Sequence, residues 1–528
     1  MVRPTALLKR FLIFIHRWLG VALSVVFMLW FVSGIVMMYW GFPGVVASDR
    51  LQRALVLDPA TITVSAEEAY AALGQEGPPS QVRLTSFDGR PVYRFGGGGG
   101  RGRGGDPMVY ADDGTPHGAV DDAMLDRAAT SWAGRPLNEA KKESVEEVDQ
   151  WTVAIRTRPL LKYSWPDGQQ VYVNGSTADV AQYTTTAARF WAYLGAIPHW
   201  MYFTPLRKNG PQWFSFVVWS SLIGTIASVV GVVIIVWMYS PRKRYRHAGA
   251  PTSIPYRGWK RWHAVAGLLF GVVTTTWTFS GLLSMGPFPI LDKLTAWTVP
   301  TASAGAAGQD VDLSNALRGS EPFRLSSYAD RDARAAIAAL AGFAVKELEY
   351  TSFAGQPAYV ATNASGQTRV VPMRGDTTEA FDPQAMMRVV RAAAGSNLAE
   401  LRMMDEYDAY YQDRRRERPL PVIYARMNDA VGTRYYINPS TARVVDSYSQ
   451  EGWVSRWLYH GLHSLDFPWL YQYRPLWDIV VITLMLGGTA LCVTSLVLTW
   501  RVVVRTVMAA IRARFNAPNE DLSLDSRA

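Results

Sequence analysis

The residues in this 528-residue chain best suited to chemistry are histidines, and they recur in register. His16 is followed by Gly20, Trp30, Ser33-Gly34 and Met38, and His263 by Gly267, Trp277, Ser280-Gly281 and Met285, at the same spacings of 4, 14, 17, 18 and 22 residues. Identities kept in register across 247 residues point to an internal duplication. Each copy is a long apolar segment, and a histidine inside a membrane segment is a functional candidate by default. A second pair follows the same pattern. His199 precedes Pro211 and Trp213, and His463 precedes Pro475 and Trp477, by 12 and 14 residues in both halves.

A two-fold arrangement puts His16 and His263 at one membrane depth, and His199 and His463 at another. Two imidazoles facing each other at one level of a helical bundle can each give a nitrogen axially to an iron, which is how b-type haem is held. The single cysteine, Cys492, excludes an intramolecular disulfide and any cysteine-based metal site, and the absence of a Cys-X-X-Cys-His run makes any haem non-covalent. The expected cofactor is haem b, in two copies, with His16, His263, His199 and His463 as axial ligands to the haem iron. His460 and His463 lie three apart on one helix face, so either can ligate while the other donates a hydrogen bond. The small residues beside the ligands, Gly20, Gly267, Ser33-Gly34 and Ser280-Gly281, would let a flat macrocycle approach or simply allow close helix packing. Met38 and Met285 read as packing residues, and His117 and His247 fall outside the pattern. From His16 to Met38 is 22 residues, about 33 Å of helix, so one haem near each face would form an electron wire across a bilayer. No Gly-x-Gly-x-x-Gly opens a helix, so the electrons come from a partner, either a cytoplasmic reductase or membrane quinol.

The elements that must position these histidines are four apolar segments: Val21–Trp40, Trp213–Tyr239, Ala264–Leu291 and Ile479–Trp500. Each is long enough to span a bilayer and is edged by Trp or Tyr. Residues 1–20, 240–262 and 501–528 carry sixteen Lys or Arg against three acids, in a chain whose net charge is only +9. The positive-inside rule therefore places both termini and the 240–262 loop in the cytoplasm. The basic balance reports topology, not nucleic-acid binding. Val45-Val46-Ala47 resembles a signal-peptidase site, but the apolar run before it is about twice a usual signal-peptide core, and a retained helix is expected.

The expected fold class is membrane α-helical, with four transmembrane helices from an internal duplication, a pseudo-two-fold axis along the membrane normal, and two external α+β regions. The expected divisions are 1–43 (cytoplasmic start and first helix), 44–210 (first outer region, with its histidine segment), 211–239 (second helix), 240–258 (basic loop), 259–291 (third helix), 292–474 (second outer region), 475–502 (fourth helix) and 503–528 (tail). In the first outer region, Ser65 caps a short helix and strands at 81–87 and 91–95 flank Asp88-Gly89; in the second, 335–341 is helical and strands at 345–353 and 357–360 flank Gly355. Gly96–Gly105 is low-complexity sequence and reads as a flexible hairpin tip. Asp149, Arg158-Pro-Leu160 and Tyr172-Val-Asn174 are echoed by Asp408, Arg418-Pro-Leu420 and Tyr435-Tyr-Ile437-Asn438.

His16-Arg-Trp-Leu-Gly20, Trp259-Lys-Arg-Trp-His263, Ile197-Pro-His199-Trp-Met-Tyr-Phe-Thr-Pro-Leu206 and His460-Gly-Leu-His463-Ser-Leu-Asp-Phe-Pro468 resemble the PepSY-associated transmembrane helix family over nearly the whole chain. The outer regions are similar to PepSY domains. The resemblance implies a multi-pass protein of the bacterial inner membrane with periplasmic PepSY-like regions, like the ferric-siderophore reductases of that family, which carry two b-type haems. It implies electron transfer outward to a ferric siderophore or other iron chelate, with release of Fe(II). The Gly-rich insertion has no counterpart in that pattern. Trp200, Tyr202, Arg207, Lys208, Trp469, Tyr471, Tyr473 and Arg474 flank the outer histidines and would suit an anionic or catecholate chelate, or form an aromatic belt with snorkelling cations. Two other readings compete: a non-catalytic PepSY binding or regulatory protein, and a permease for an iron chelate. Neither calls for haem, and the first leaves the duplicated histidines unexplained.

Overall fold

The computed structural model describes residues 4–96, 106–286, 312–319, 321–413, 417–449, 452 and 455–515. The chain divides into two compact units. One comprises Met1–Gly41, Trp191–Asp292 and Trp457–Ala528, and the other Phe42–Phe190 and Lys293–Arg456. The histidine-bearing segments after Trp191 and Trp457, expected within the outer regions, fall in the helical unit.

The helical unit holds four helices long and apolar enough to cross a membrane: Thr5–Met37, Gly210–Met238, Gly258–Leu283 and Leu476–Arg512. The first begins at Pro4, twelve residues before His16, so that histidine lies inside the helix and not near its start. Its leading turns are apolar apart from Lys9 and Arg10, whose long stems tolerate the same environment. The second starts at an Asn209 cap, whose side chain accepts from the Gln212 amide, with Pro211 in the first turn. The third ends at Leu283; of the expected remainder, 287–291 lie outside the described residues. The fourth continues beyond Trp500 to Phe515.

Neighbouring helices pack one–two, two–three, three–four and four–one, so the first and third face each other across a bundle. Phe31 and Trp277 meet on that diagonal with ring centroids 5.7 Å apart, buried with Cys492. The fourth helix admits these aromatics because it carries Gly487-Gly488. A side chain at Gly488 would strike the Phe31 ring, and one at Gly487 the Phe270 ring.

The second unit is α+β. Strands β1 (Gln81–Phe87), β2 (Arg90–Gly96) and β3 (Met108–Tyr110) form a meander, and so do β10 (Glu347–Phe353), β11 (Gln356–Thr362) and β12 (Thr368–Pro372). The two meanders are not separate. β1 pairs antiparallel with β10, Val82 opposite Tyr350 and Leu84 opposite Leu348, giving one six-stranded sheet ordered β12-β11-β10-β1-β2-β3. The two α+β regions expected from the sequence thus share one sheet. Each meander alone would leave an open edge, and the pairing buries Val82, Leu84, Leu348 and Tyr350 in a common core. Two four-stranded sheets complete the unit, β4–β7 (141–184) and β13–β16 (398–448). In them Tyr172 donates to Asp149 (2.7 Å) and Tyr436 to Asp408 (3.0 Å). The proposed match of Arg158-Pro-Leu160 to Arg418-Pro-Leu420 is two residues out of register: Leu161 opposes Val173, and Ile423 opposes Ile437. The Gly-rich segment beyond Gly96 lies outside the described residues, up to Asp106.

Leu84→Ala removes a fully buried side chain at the β1–β10 seam. It should cost about 2–5 kcal/mol, measured as a lowered unfolding midpoint of the full-length protein in detergent; an unchanged midpoint would show that the seam is not structural.

Candidate functional site

All five candidate histidines lie in the helical unit, and the structure brings four of them together in two pairs. His16, on the first helix, faces His263 on the third, with ring centroids 6.1 Å apart and planes inclined by 41°. His199 faces His463 with centroids 6.0 Å apart and planes at 67°. These last two sit on short helices, Ala196–Trp200 and Leu462–Ser464, each closed by a left-handed residue, Met201 and Leu465 (φ 53° in both). Each turn is tied to the long helix that follows. The Trp213 indole donates to the Trp200 carbonyl (2.8 Å), and the Trp477 indole to the Ser464 carbonyl (3.1 Å). His199 reaches Ser33, seventeen residues beyond His16 on the first helix, so the pairs are separated by about 25 Å along it.

In every ring it is Nδ1 that is engaged. His16 Nδ1 bonds the Ala227 carbonyl at 2.9 Å. A carbonyl only accepts, so Nδ1 carries the proton. His263 Nδ1 lies 3.0 Å from the Thr494 hydroxyl, which itself donates to the Leu491 carbonyl (2.7 Å). His463 Nδ1 lies 3.1 Å from the Ser280 hydroxyl, which donates to the Trp277 carbonyl (3.1 Å). His199 Nδ1 contacts both Ser33 Oγ (3.2 Å) and the Trp30 carbonyl (3.1 Å), and Ser33 donates to that same carbonyl (3.2 Å). A hydroxyl whose proton is committed to a carbonyl can only accept from the ring. All four imidazoles are thereby set as Nδ1–H tautomers, and Nε2 is the nitrogen a metal would take.

The spacing fits such a metal. Bonds of about 2 Å to each imidazole, plus roughly 1 Å from nitrogen to ring centre, put two ring centres on one metal about 6 Å apart. Among the described residues no group of three or more His, Cys, Asp or Glu converges. Two imidazoles therefore suit a metal that brings its own equatorial ligands, not a bare ion. Glycines shape the walls. A side chain at Gly231 would lie 2.6 Å from His16 Cε1, whereas at Gly20 nothing stands within 4 Å, and at Gly267 only Leu491 Cδ1, at 3.9 Å. Positions equivalent to Cβ at Gly34 and Gly281 lie 3.4 Å and 3.7 Å from Cε1 of His199 and His463. In the recurring Trp-x-x-Ser-Gly run, serine therefore anchors the outer imidazole, and a side chain at Gly34 would strike Met485 before it met the His199 ring.

His460 is placed differently. It lies in the π-helical turn Ser455–Gly461, with Nδ1 4.0 Å from a carboxylate oxygen of Asp466. The Tyr459 ring lies against both His460 and His463, at 4.9 and 5.2 Å. It is His463 that meets His199. His117 lies in the α+β unit against Phe87 and Tyr110, with its pKa held down by burial, and His247 lies in a short hairpin strand. Of the outer aromatics and cations, Trp469 and Tyr473 are exposed, but Tyr471 is buried against Trp477. Arg474 is committed to Asp478, whose carboxylate also accepts from Tyr39 (3.0 Å). Arg207 lies over the Tyr202 and Trp213 rings. Sequence reasoning took Ser33 and Ser280 as small residues that admit a macrocycle or allow close packing, and missed Thr494, Gly231 and the Ala227 carbonyl as ring partners. The serines recur three residues after each tryptophan, which is a usable signal; nothing comparable marks the others.

Four spanning helices, paired histidines and an α+β unit define a multi-pass membrane protein. The match to the PepSY-associated TM region covers residues 13–501, and the chain belongs to that family. No curated protein matches it.

Gly231→Ala should push the His16 ring from its seat and destabilise the protein by about 1–3 kcal/mol, seen as a lower thermal midpoint in detergent. An unchanged midpoint would mean the ring has a second place to go.

Proposed function

We propose that this chain is an inner-membrane oxidoreductase that holds two b-type haems and passes electrons outward to a ferric siderophore or other ferric chelate, releasing Fe(II). The observation that carries the reading is the tautomer setting: four histidines in two facing pairs, each with Nδ1 anchored by a hydrogen bond. His16 and His263 would hold one haem, and His199 and His463 the other. Bound there, haem supplies a one-electron carrier at each level.

The rest falls to the chain's own residues. Ala227, Thr494, Ser33 and Ser280 hold the imidazoles in orientation. The Phe31–Trp277 layer fills the bundle between the two levels and keeps water from the path. Trp200, Trp469 and Tyr473 offer exposed aromatic surface near the outer pair. On this reading the termini and the 240–262 loop are cytoplasmic, the sheets periplasmic, and the two halves copies related by a pseudo-two-fold axis. The matching left-handed residues Met201 and Leu465, and the matching indole bonds of Trp213 and Trp477, support the duplication.

A reduced-minus-oxidised visible spectrum of the purified protein, with haem quantified per chain, tests the proposal. The wild type should show a b-type α-band at two haems per chain. His16→Ala or His263→Ala should remove one haem, and His199→Ala or His463→Ala the other, while His460→Ala keeps both. A colourless wild type would sink the reading and leave the PepSY binding role.

A further inference from the structure

The segment between the second and third helices, with the first turn of the third, contains Arg242, Lys243, Arg244, Arg246, Arg257, Lys260 and Arg261 and no acid. It is folded. Strands β8 (Tyr245–His247) and β9 (Ala250–Thr252) form a hairpin, Ser240 N donates to the Ser253 carbonyl (3.0 Å), and Arg261 donates to Thr252 Oγ1 (3.0 Å). Ile254 seals this platform onto the bundle against Ile235 and Ala264. Arg257 and Lys260 are exposed and lie in no ion pair among the described residues. A fixed cluster of cations with no internal counter-charge calls for an anion from outside.

Alongside it runs an apolar groove of about 530 Å³ between the third and fourth helices, lined by Trp259, Trp262, Leu269, Phe270, Val493 and Thr494. Trp262 and Leu269 are each 65% exposed, so the groove opens away from the bundle. Trp259 and Trp262 mark the level where a membrane interface begins. Cations at one end and an apolar trough running from that end along the helices match a single amphiphile: an acidic head and hydrocarbon chains. The first half repeats only part of this: the residues 247 positions before Arg257 and Lys260 are Arg10 and Ile13.

We propose that Arg257 and Lys260, with the groove between the third and fourth helices, form a binding site for one anionic phospholipid, its phosphate on the cations and its acyl chains in the groove. The site does not depend on haem. It does touch the inner histidine pair, because Thr494 both lines the groove and holds His263 Nδ1.

The test uses the full-length protein reconstituted in phosphatidylcholine vesicles carrying a trace of spin-labelled phosphatidylglycerol or spin-labelled phosphatidylcholine. The immobilised fraction should be larger for phosphatidylglycerol. In R257Q/K260Q that preference should fall by roughly fivefold for each cation removed. In V493W, which fills the groove at an exposed position, immobilised label should be lost even in high salt. Equal immobilisation of the two lipids, or a preference unchanged in both variants, overturns the proposal. Displacement of the label by inorganic phosphate would assign the cations to a free anion, and displacement by a quinone would assign the groove to that molecule; either result also overturns it.

Discussion

An imidazole offers a metal one lone pair, and only if the other nitrogen has been given the proton and a place to put it. Everything in the helical unit follows from meeting that condition four times. The first and third helices must lie on a diagonal so that their histidines face. The second and fourth must then bring a carbonyl or a committed hydroxyl to the back of each inner ring. The outer rings, which stand on short helices, are anchored instead by the serines of the first and third. The result is a set of acceptors that fixes the tautomer and orientation of each ring within the protein itself.

The same helices must also pack. Large aromatics on the diagonal need bare backbone opposite them, and the glycines of the fourth helix supply it: Gly487 and Gly488 receive Phe270 and Phe31. Gly231 does likewise for His16. Small residues here are not generic helix-packing residues. Each stands opposite a named ring, and its smallness is set by that ring's position.

The architecture was legible where the physics is local. Long apolar runs, the Ser65 cap with its Glu68 return bond, and the turns at Asp88-Gly89 and Ala354-Gly355 all announce themselves within a few residues. The pairing of the histidines was legible too, because recurrence carries information that no single window holds. What could not be read was anything that depends on which surfaces meet. The β1–β10 seam joins residues about 266 positions apart (Leu84 and Leu348 among them), and no alternation pattern says that two meanders share an edge. Thr494 is one hydroxyl among many in apolar sequence. The choice between His460 and His463 turns on a π-helical turn that shared helical phase does not predict. The apolar stretches also understate helix length at the first and fourth spans, because scattered Lys and Arg near the ends do not stop an apolar helix from continuing.

The β1–β10 seam has a consequence for ancestry. On the reading that the two halves are copies, a half-length chain would own one imidazole of each pair and one free edge of sheet. It could complete neither alone, but two such chains would complete both at once. A homodimer of that kind is bound to symmetry: every change in one subunit appears in the other. Fusion releases that bond. Asp478 stands where the first half has Phe214, and Thr494 where it has Val230, so one back-to-back assembly could acquire a front and a rear.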